Sequence, residues 1–174
     1  VLIFGDSEYS FRLFSFLTGI ASLGAFSYFA WKYLGKSGAL FSLALFATSP
    51  FAIYYSAETK QYMGDLFATL FLLLLYLWLL SVPYSPRRTV IFTLVASLLL
   101  WISHAAVFGV AAVGLSLLWH YFLSKNRQAF WGTFTGLALA GLNAVLIYLW
   151  NIRPLAENAF LASFILFALM SLSK

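Results

Sequence analysis

The feature that most constrains this chain is a succession of apolar runs, each about 20 residues long and each closed by a short cluster of charge, Gly or Pro. As a helix, a run of that length reaches across a hydrocarbon core of roughly 30 Å. Hydrophobic residues make up 63% of the chain and charged residues 9%, against about 45–50% and about 25% in a soluble domain. In lipid, backbone polar groups must be satisfied inside the segment, which leaves helices or closed barrels. Barrel strands alternate apolar and polar residues, whereas these runs are continuous. The sequence therefore predicts an all-α, polytopic transmembrane helix bundle, with residues 1–174 as a single transmembrane domain.

In order, residues 1–10 form a polar lead-in containing Gly5-Asp6-Ser7-Glu8-Tyr9. Residues 11–31 are the first predicted span, and residues 32–37 a tight turn with Gly35, Lys32 and Lys36. The second span, 38–57, is interrupted at Ser49-Pro50, where the missing N–H should kink or restart the helix. Residues 62–81 are the third span and 82–88 a loop with two prolines and Arg87-Arg88. Residues 89–123 are too long for one crossing and suit a helical hairpin turning at Ser103-His104. A loop at 125–128 leads into a span over 130–150, in which Gly132 and Gly136 have the spacing that lets helices approach closely. A loop over 151–158 and a short apolar run at 159–172 bring the expected count to about seven crossings. The chain reads as part of a larger membrane domain, because it starts at Val1 without a basic leader and ends just after an apolar run.

Alternating these spans sorts the charges. Lys32, Lys36, Arg87, Arg88, Lys125 and Arg127 fall on one side, with no acid among them. Arg12, Lys60 and Arg153 fall on the other with all five acids: Asp6, Glu8, Glu58, Asp65 and Glu157. The positive-inside rule makes the first side cytoplasmic. The lead-in, the hinge around residues 49–65 and His104 then face outward. Basic residues in ones and twos between spans do not form a nucleic-acid patch. With no cysteine, disulfides, thiolate metal sites and cysteine nucleophiles are excluded together. No Gly-rich phosphate loop, Ser-His-Asp order or HExxH motif is present.

The hinge holds two of the five acids beside three tyrosines, Tyr54, Tyr55 and Tyr62. Charge at a membrane edge is costly without a partner or a task. If one helix runs through Glu58, Tyr62 and Asp65, their spacing puts them on one face. Asp65 reads as a helix-start residue favoured by the dipole and pairing with Lys60. Glu58 with its tyrosines reads as a polar pocket rather than an aromatic belt. His104 is either a proton shuttle, a ligand or a polar turn residue, and with Glu58 it supplies only two metal ligands, too few for a site. His120 reads as interfacial and Asn143 as a hydrogen bond to a neighbouring helix. Arg12 either pairs with Glu8 one turn earlier or reaches a phosphate, for which a planar guanidinium is suited.

Two stretches together resemble a known family. Phe4-Gly5-Asp6-Ser7-Glu8-Tyr9-Ser10-Phe11-Arg12-Leu13-Phe14-Ser15 enters the first span. Ser49-Pro50 and then Tyr55-Ser56-Ala57-Glu58-Thr59-Lys60-Gln61-Tyr62 follow at the hinge. In that order they look like the C-type membrane glycosyltransferases, closest to the protein mannosyltransferase and aminoarabinose transferase-like group. Lys60 stands where an Arg is usual, which keeps the charge and loses the fork.

The resemblance covers the middle of such an enzyme. It implies transfer of a sugar from a polyprenyl-phosphate donor to a lipid, glycan or protein acceptor on the extracytoplasmic side of a cell or inner membrane. It implies membrane lipids but no nucleic acid as partners, and no cofactor, with a divalent metal left open. The family's catalytic Asp lies in an outer loop upstream of Asp6, so the catalytic residue is not assigned within this sequence. Substrate binding would fall to Glu58, Tyr62, Lys60, His104, Arg12, Tyr55 and Glu8. The competing reading is a polytopic transporter or lipid flippase, which would place its charges nearer the bilayer midplane.

Overall fold

A computed structural model describes residues 8–58 and 62–153. Among them the structure is helical throughout, with no strand. Seven α-helices follow in order: α1 (Glu8–Tyr33), α2 (Gly35–Ala47), α3 (Pro50–Ala57), α4 (Tyr62–Leu80), α5 (Pro86–Ile102), α6 (Ala106–Leu123) and α7 (Arg127–Ile147). One turn of π-helix, Tyr148–Ile152, prolongs α7.

Four segments are long and apolar enough to cross a membrane: Arg12–Tyr33, Tyr62–Leu80, Ala106–Leu123 and Arg127–Asn151. The bent pair α2 and α3 makes a fifth if taken as one span. Among the described residues, four or five of the expected seven crossings are thus found by length and composition. Helix α5 occupies the predicted position but has 17 residues, roughly 25 Å at the α-helical rise, and its first turn carries Arg87-Arg88. The run at 159–172 lies outside the described residues.

The breaks follow local chemistry. Helix α2 ends at Ala47, Ser49 accepts a hydrogen bond from the Ala52 N–H, and Pro50 opens α3. Proline fits a first helical turn, where its absent N–H has no intrahelical partner to lose. The two helices meet at 50°, the restart that Ser49-Pro50 predicts. Pro86 likewise opens α5 three residues earlier than the sequence suggested. The turn predicted over 32–37 is shorter than expected: only Leu34 separates α1 from α2, and Gly35 takes a φ of +68°. The left-handed region is free of steric cost for glycine.

Helices α1 and α4, α5 and α7, and α6 and α7 form the most extensive contacts. A core of small and aliphatic side chains around the buried Phe92 ring, from α4 to α7, includes Ala68, Leu72, Ala96, Val110, Leu117 and Ala140. The Gly132/Gly136 spacing does what the sequence suggested. A β-carbon on Gly136 would collide with the Thr93 hydroxyl of α5, and one on Gly132 with the Tyr84 hydroxyl. Asn143 Nδ2 donates to the Ser97 carbonyl at 3.1 Å, the interhelical bond expected of it.

The contacts sort the helix ends into two sets. At one, Gly64 of α4 is held against Phe14 of α1 and the Ile102 carbonyl of α5. At the other, the Tyr84 and Tyr121 rings meet at 5.8 Å, and Tyr84 also lies over Gly132 of α7. The hinge and the Ser103-His104 break thus share one end of the bundle, and the 81–86 and 124–126 turns share the other.

Candidate functional site

The hinge begins at the Ser49 cap, and α3 carries Tyr54 and Tyr55 toward its C-terminal end. Glu58 then leaves the helix, with extended backbone angles of φ −92° and ψ 152°. The condition for one helical face through Glu58, Tyr62 and Asp65 is thus not met, while the span limits expected at 57 and 62 are those of α3 and α4. Tyr62 opens a new helix, α4, so Glu58 is placed by the end of α3 and Tyr62 and Asp65 by the first turn of α4.

The tyrosines and the carboxylate nevertheless gather. Tyr54 Oη donates to Glu58 Oε1 at 3.3 Å. Its ring meets that of Tyr55 edge-on at 5.3 Å, and Tyr55 reaches across to Tyr62 at 4.7 Å between ring centroids. Tyr55 and Tyr62 line an open cleft of about 680 Å³ with Ser49, Met63 and Leu66. Its walls are mainly aromatic and aliphatic, with phenol groups and the Ser49 hydroxyl as the polar atoms.

Helix α1 closes the hinge from beside. Gly19 faces Ser56 and Met63 at 3.1 and 3.4 Å from an ideal β-carbon position. Ser15, Thr18 and Ser22 form a buried polar stripe on α1. Thr18 donates to the Phe14 carbonyl and Ser22 to the Thr18 carbonyl, so their hydroxyls are satisfied within the helix while their small size allows close packing. Arg12 lies on this helix, exposed, and Glu8 begins it four residues earlier. Lys60 lies outside the described residues.

Asp65 stands in the first turn of α4, as expected, and takes a further role that the sequence did not show. Its Oδ1 accepts the Ser103 hydroxyl at 2.6 Å, across 38 residues of sequence. Ser103, only 1% exposed, in turn accepts the Ala106 N–H at 3.0 Å and so caps the start of α6. One carboxylate thereby fastens the hinge helix to the α5–α6 break. The sequence offered half of this signal, an outer-end Asp and an outer-end Ser at a break, but not that the two would touch.

His104 is exposed beside Ser103 and lines a groove of its own, of about 500 Å³, with Leu100, Val107, Ala144 and Tyr148. His104 thus shares an end of the bundle with Glu58, Tyr55 and Tyr62, but not a cavity wall. Among the described residues no three His, Asp or Glu side chains are grouped as metal ligands.

Comparison with known proteins finds no matching family model, no matching curated protein and no matching solved structure.

Proposed function

We propose that this chain is part of the membrane domain of a glycosyltransferase that uses a polyprenyl-phosphate sugar donor on the extracytoplasmic side. One observation carries the reading. The two stretches that resemble the C-type transferases lie far apart in sequence, yet the helices they begin or join meet. Phe14 of the first lies against Gly64 beside the second, and Gly19 against Ser56.

In this reading the Glu58 carboxylate, held by the Tyr54 hydroxyl, binds and orients an acceptor hydroxyl. The aromatic cleft of Tyr55 and Tyr62 receives an apolar or sugar face. Arg12 and Lys60 supply positive charge where a phosphate leaves, since cations aimed at developing charge stabilise the transition state. The finer topology belongs to the same proposal: seven crossings, with Arg87, Arg88, Lys125 and Arg127 cytoplasmic and Glu58 and His104 outside.

A transporter or flippase is the second reading. The 50° break between α2 and α3 favours it, because discontinuous helices commonly form transport sites. Against it, Glu58 and Asp65 sit at helix ends rather than mid-span.

The test is sugar transfer from a polyprenyl-phosphate donor by the full-length protein in proteoliposomes, wild type against Glu58→Gln. Transfer should fall about tenfold or more in the variant, as loss of a substrate-positioning contact does, while membrane insertion and elution profile stay unchanged. Equal transfer by both proteins would remove Glu58 from the mechanism. Donor lipid crossing the bilayer without transfer would favour the flippase.

A further inference from the structure

At the opposite end of the bundle, α6 turns into α7 over three residues. Ser124 closes α6, Lys125 takes a left-handed φ of +54°, and Asn126 caps α7 by accepting the Ala129 N–H at 3.0 Å. This tight reversal leaves Lys125 and Arg127 two residues apart on the rim of one open groove of about 920 Å³. The groove walls include Phe122, Phe130 and Trp131. Phe130 bridges them, with ring centroids 6.4 Å from Phe122 and 5.5 Å from Trp131.

The charge at this rim is uncompensated. Both basic side chains are exposed, and neither has a hydrogen-bond or ion-pair partner among the described residues. No Asp or Glu occurs in the sequence from residue 66 to residue 156. Arg88, a further cation at this end, is engaged elsewhere: it donates to the Pro83 carbonyl and lies over the Trp78 ring. The walls, by contrast, are apolar and open, with Phe122 and Trp131 both more than half exposed. Helices α6 and α7 are each long enough to cross a bilayer, so their shared turn lies at headgroup level, where aromatic rings are favoured.

We propose that this groove binds one anionic phospholipid, with its phosphate between Lys125 and Arg127 and the upper part of an acyl chain along Phe122, Phe130 and Trp131. Charge complementarity selects the anion, since a zwitterionic headgroup would bring its own cation against two others. The aromatic wall selects a lipid over free phosphate, which has no apolar part to bury. Basic pockets between spanning helices are a known means of holding acidic headgroups. The proposal requires α6 and α7 to lie in a bilayer and is independent of any transfer reaction.

The experiment titrates phosphatidylglycerol or phosphatidylcholine into delipidated, detergent-solubilised protein and counts bound lipid by native mass spectrometry. Wild type should bind one phosphatidylglycerol well below the concentration at which phosphatidylcholine binds. Each basic residue near the headgroup accounts for about fivefold in affinity, so Lys125→Asn with Arg127→Gln should weaken phosphatidylglycerol binding about 30-fold, approximately the product of the two. Asn is chosen at 125 because it tolerates the left-handed conformation. Lys32→Gln with Lys36→Gln removes the same charge from the α1–α2 turn, away from the groove lining, and should leave binding within about twofold, because a general surface charge acts only weakly on a lipid held in a groove. Should the double variant not fold, Arg127→Gln alone carries the test with a fivefold loss expected. Equal weakening by both double variants, equal binding of phosphatidylcholine, or displacement by millimolar inorganic phosphate would each overturn the proposal.

Discussion

Removing the Ser103 hydroxyl should loosen the bundle through one interaction that can be isolated. Ser103 Oγ donates to Asp65 at 2.6 Å and accepts the Ala106 N–H at 3.0 Å. The first distance is that of a charge-assisted O–H···O⁻ bond. Such bonds contribute about 1.5–3 kcal/mol in soluble proteins, whereas interhelical hydrogen bonds measured in a membrane bundle average about 0.6 and reach about 1.7 kcal/mol. Asp65 is only half-buried, so water at the bundle end satisfies part of its capacity once the serine is gone. The cap contributes little more, because the Ala106 N–H also reaches the Ser103 carbonyl at 3.2 Å. These considerations put Ser103→Ala at about 1.5–2 kcal/mol, with about 1 kcal/mol belonging to the Asp65 pair. The assay is a double-mutant cycle of Ser103→Ala and Asp65→Ala, read by reversible unfolding in mixed micelles. If Ser103→Ala costs the same with and without Asp65, to within about 0.3 kcal/mol, the bond does not fasten α4 to the α5–α6 break and the reasoning fails.

Gly136→Leu should separate α5 from α7, because its side chain meets the Thr93 hydroxyl and the Thr89 methyl group; a loss of about 1–3 kcal/mol is expected, and a thermal midpoint unchanged from wild type would contradict the close approach. Asn143→Leu removes the bond to the Ser97 carbonyl and should cost about 0.6–1.7 kcal/mol in the same unfolding assay, with a more stable variant counting against that bond. Because the chain has no cysteine, single cysteines at 58, 104, 87 and 125 can be labelled from either side of sealed vesicles. The first two should react from one side and the last two from the other, and labelling of 87 together with 58 would reject the alternation.

Composition and run length determined much of this protein without help from packing. A helix in lipid satisfies its backbone locally, so its existence depends on its own residues, and the helices occur where the apolar runs predicted them. The breaks at Ser49-Pro50 and Ser103-His104 were legible for the same reason: a missing N–H and a polar interruption act within one turn. The contacts of Asn143, Gly132 and Gly136 were legible because a polar or very small residue inside a span has few uses besides a neighbouring helix. The break between 57 and 62 was legible as well, because a charged, polar stretch separates two apolar runs there, but the extended backbone angles of Glu58 within it were not. Nor was the partner of Asp65, which depends on α4 lying beside the α5–α6 break, a fact of tertiary arrangement that no spacing along the chain encodes. The separation of His104 from the hinge cleft has the same origin: the sequence assigns a residue to one end of a membrane bundle, because charge and apolarity act through the solvent on either side. Which neighbours it meets there is fixed by side-chain volume between helices, as Gly64 admits Phe14 and Gly136 admits Thr93.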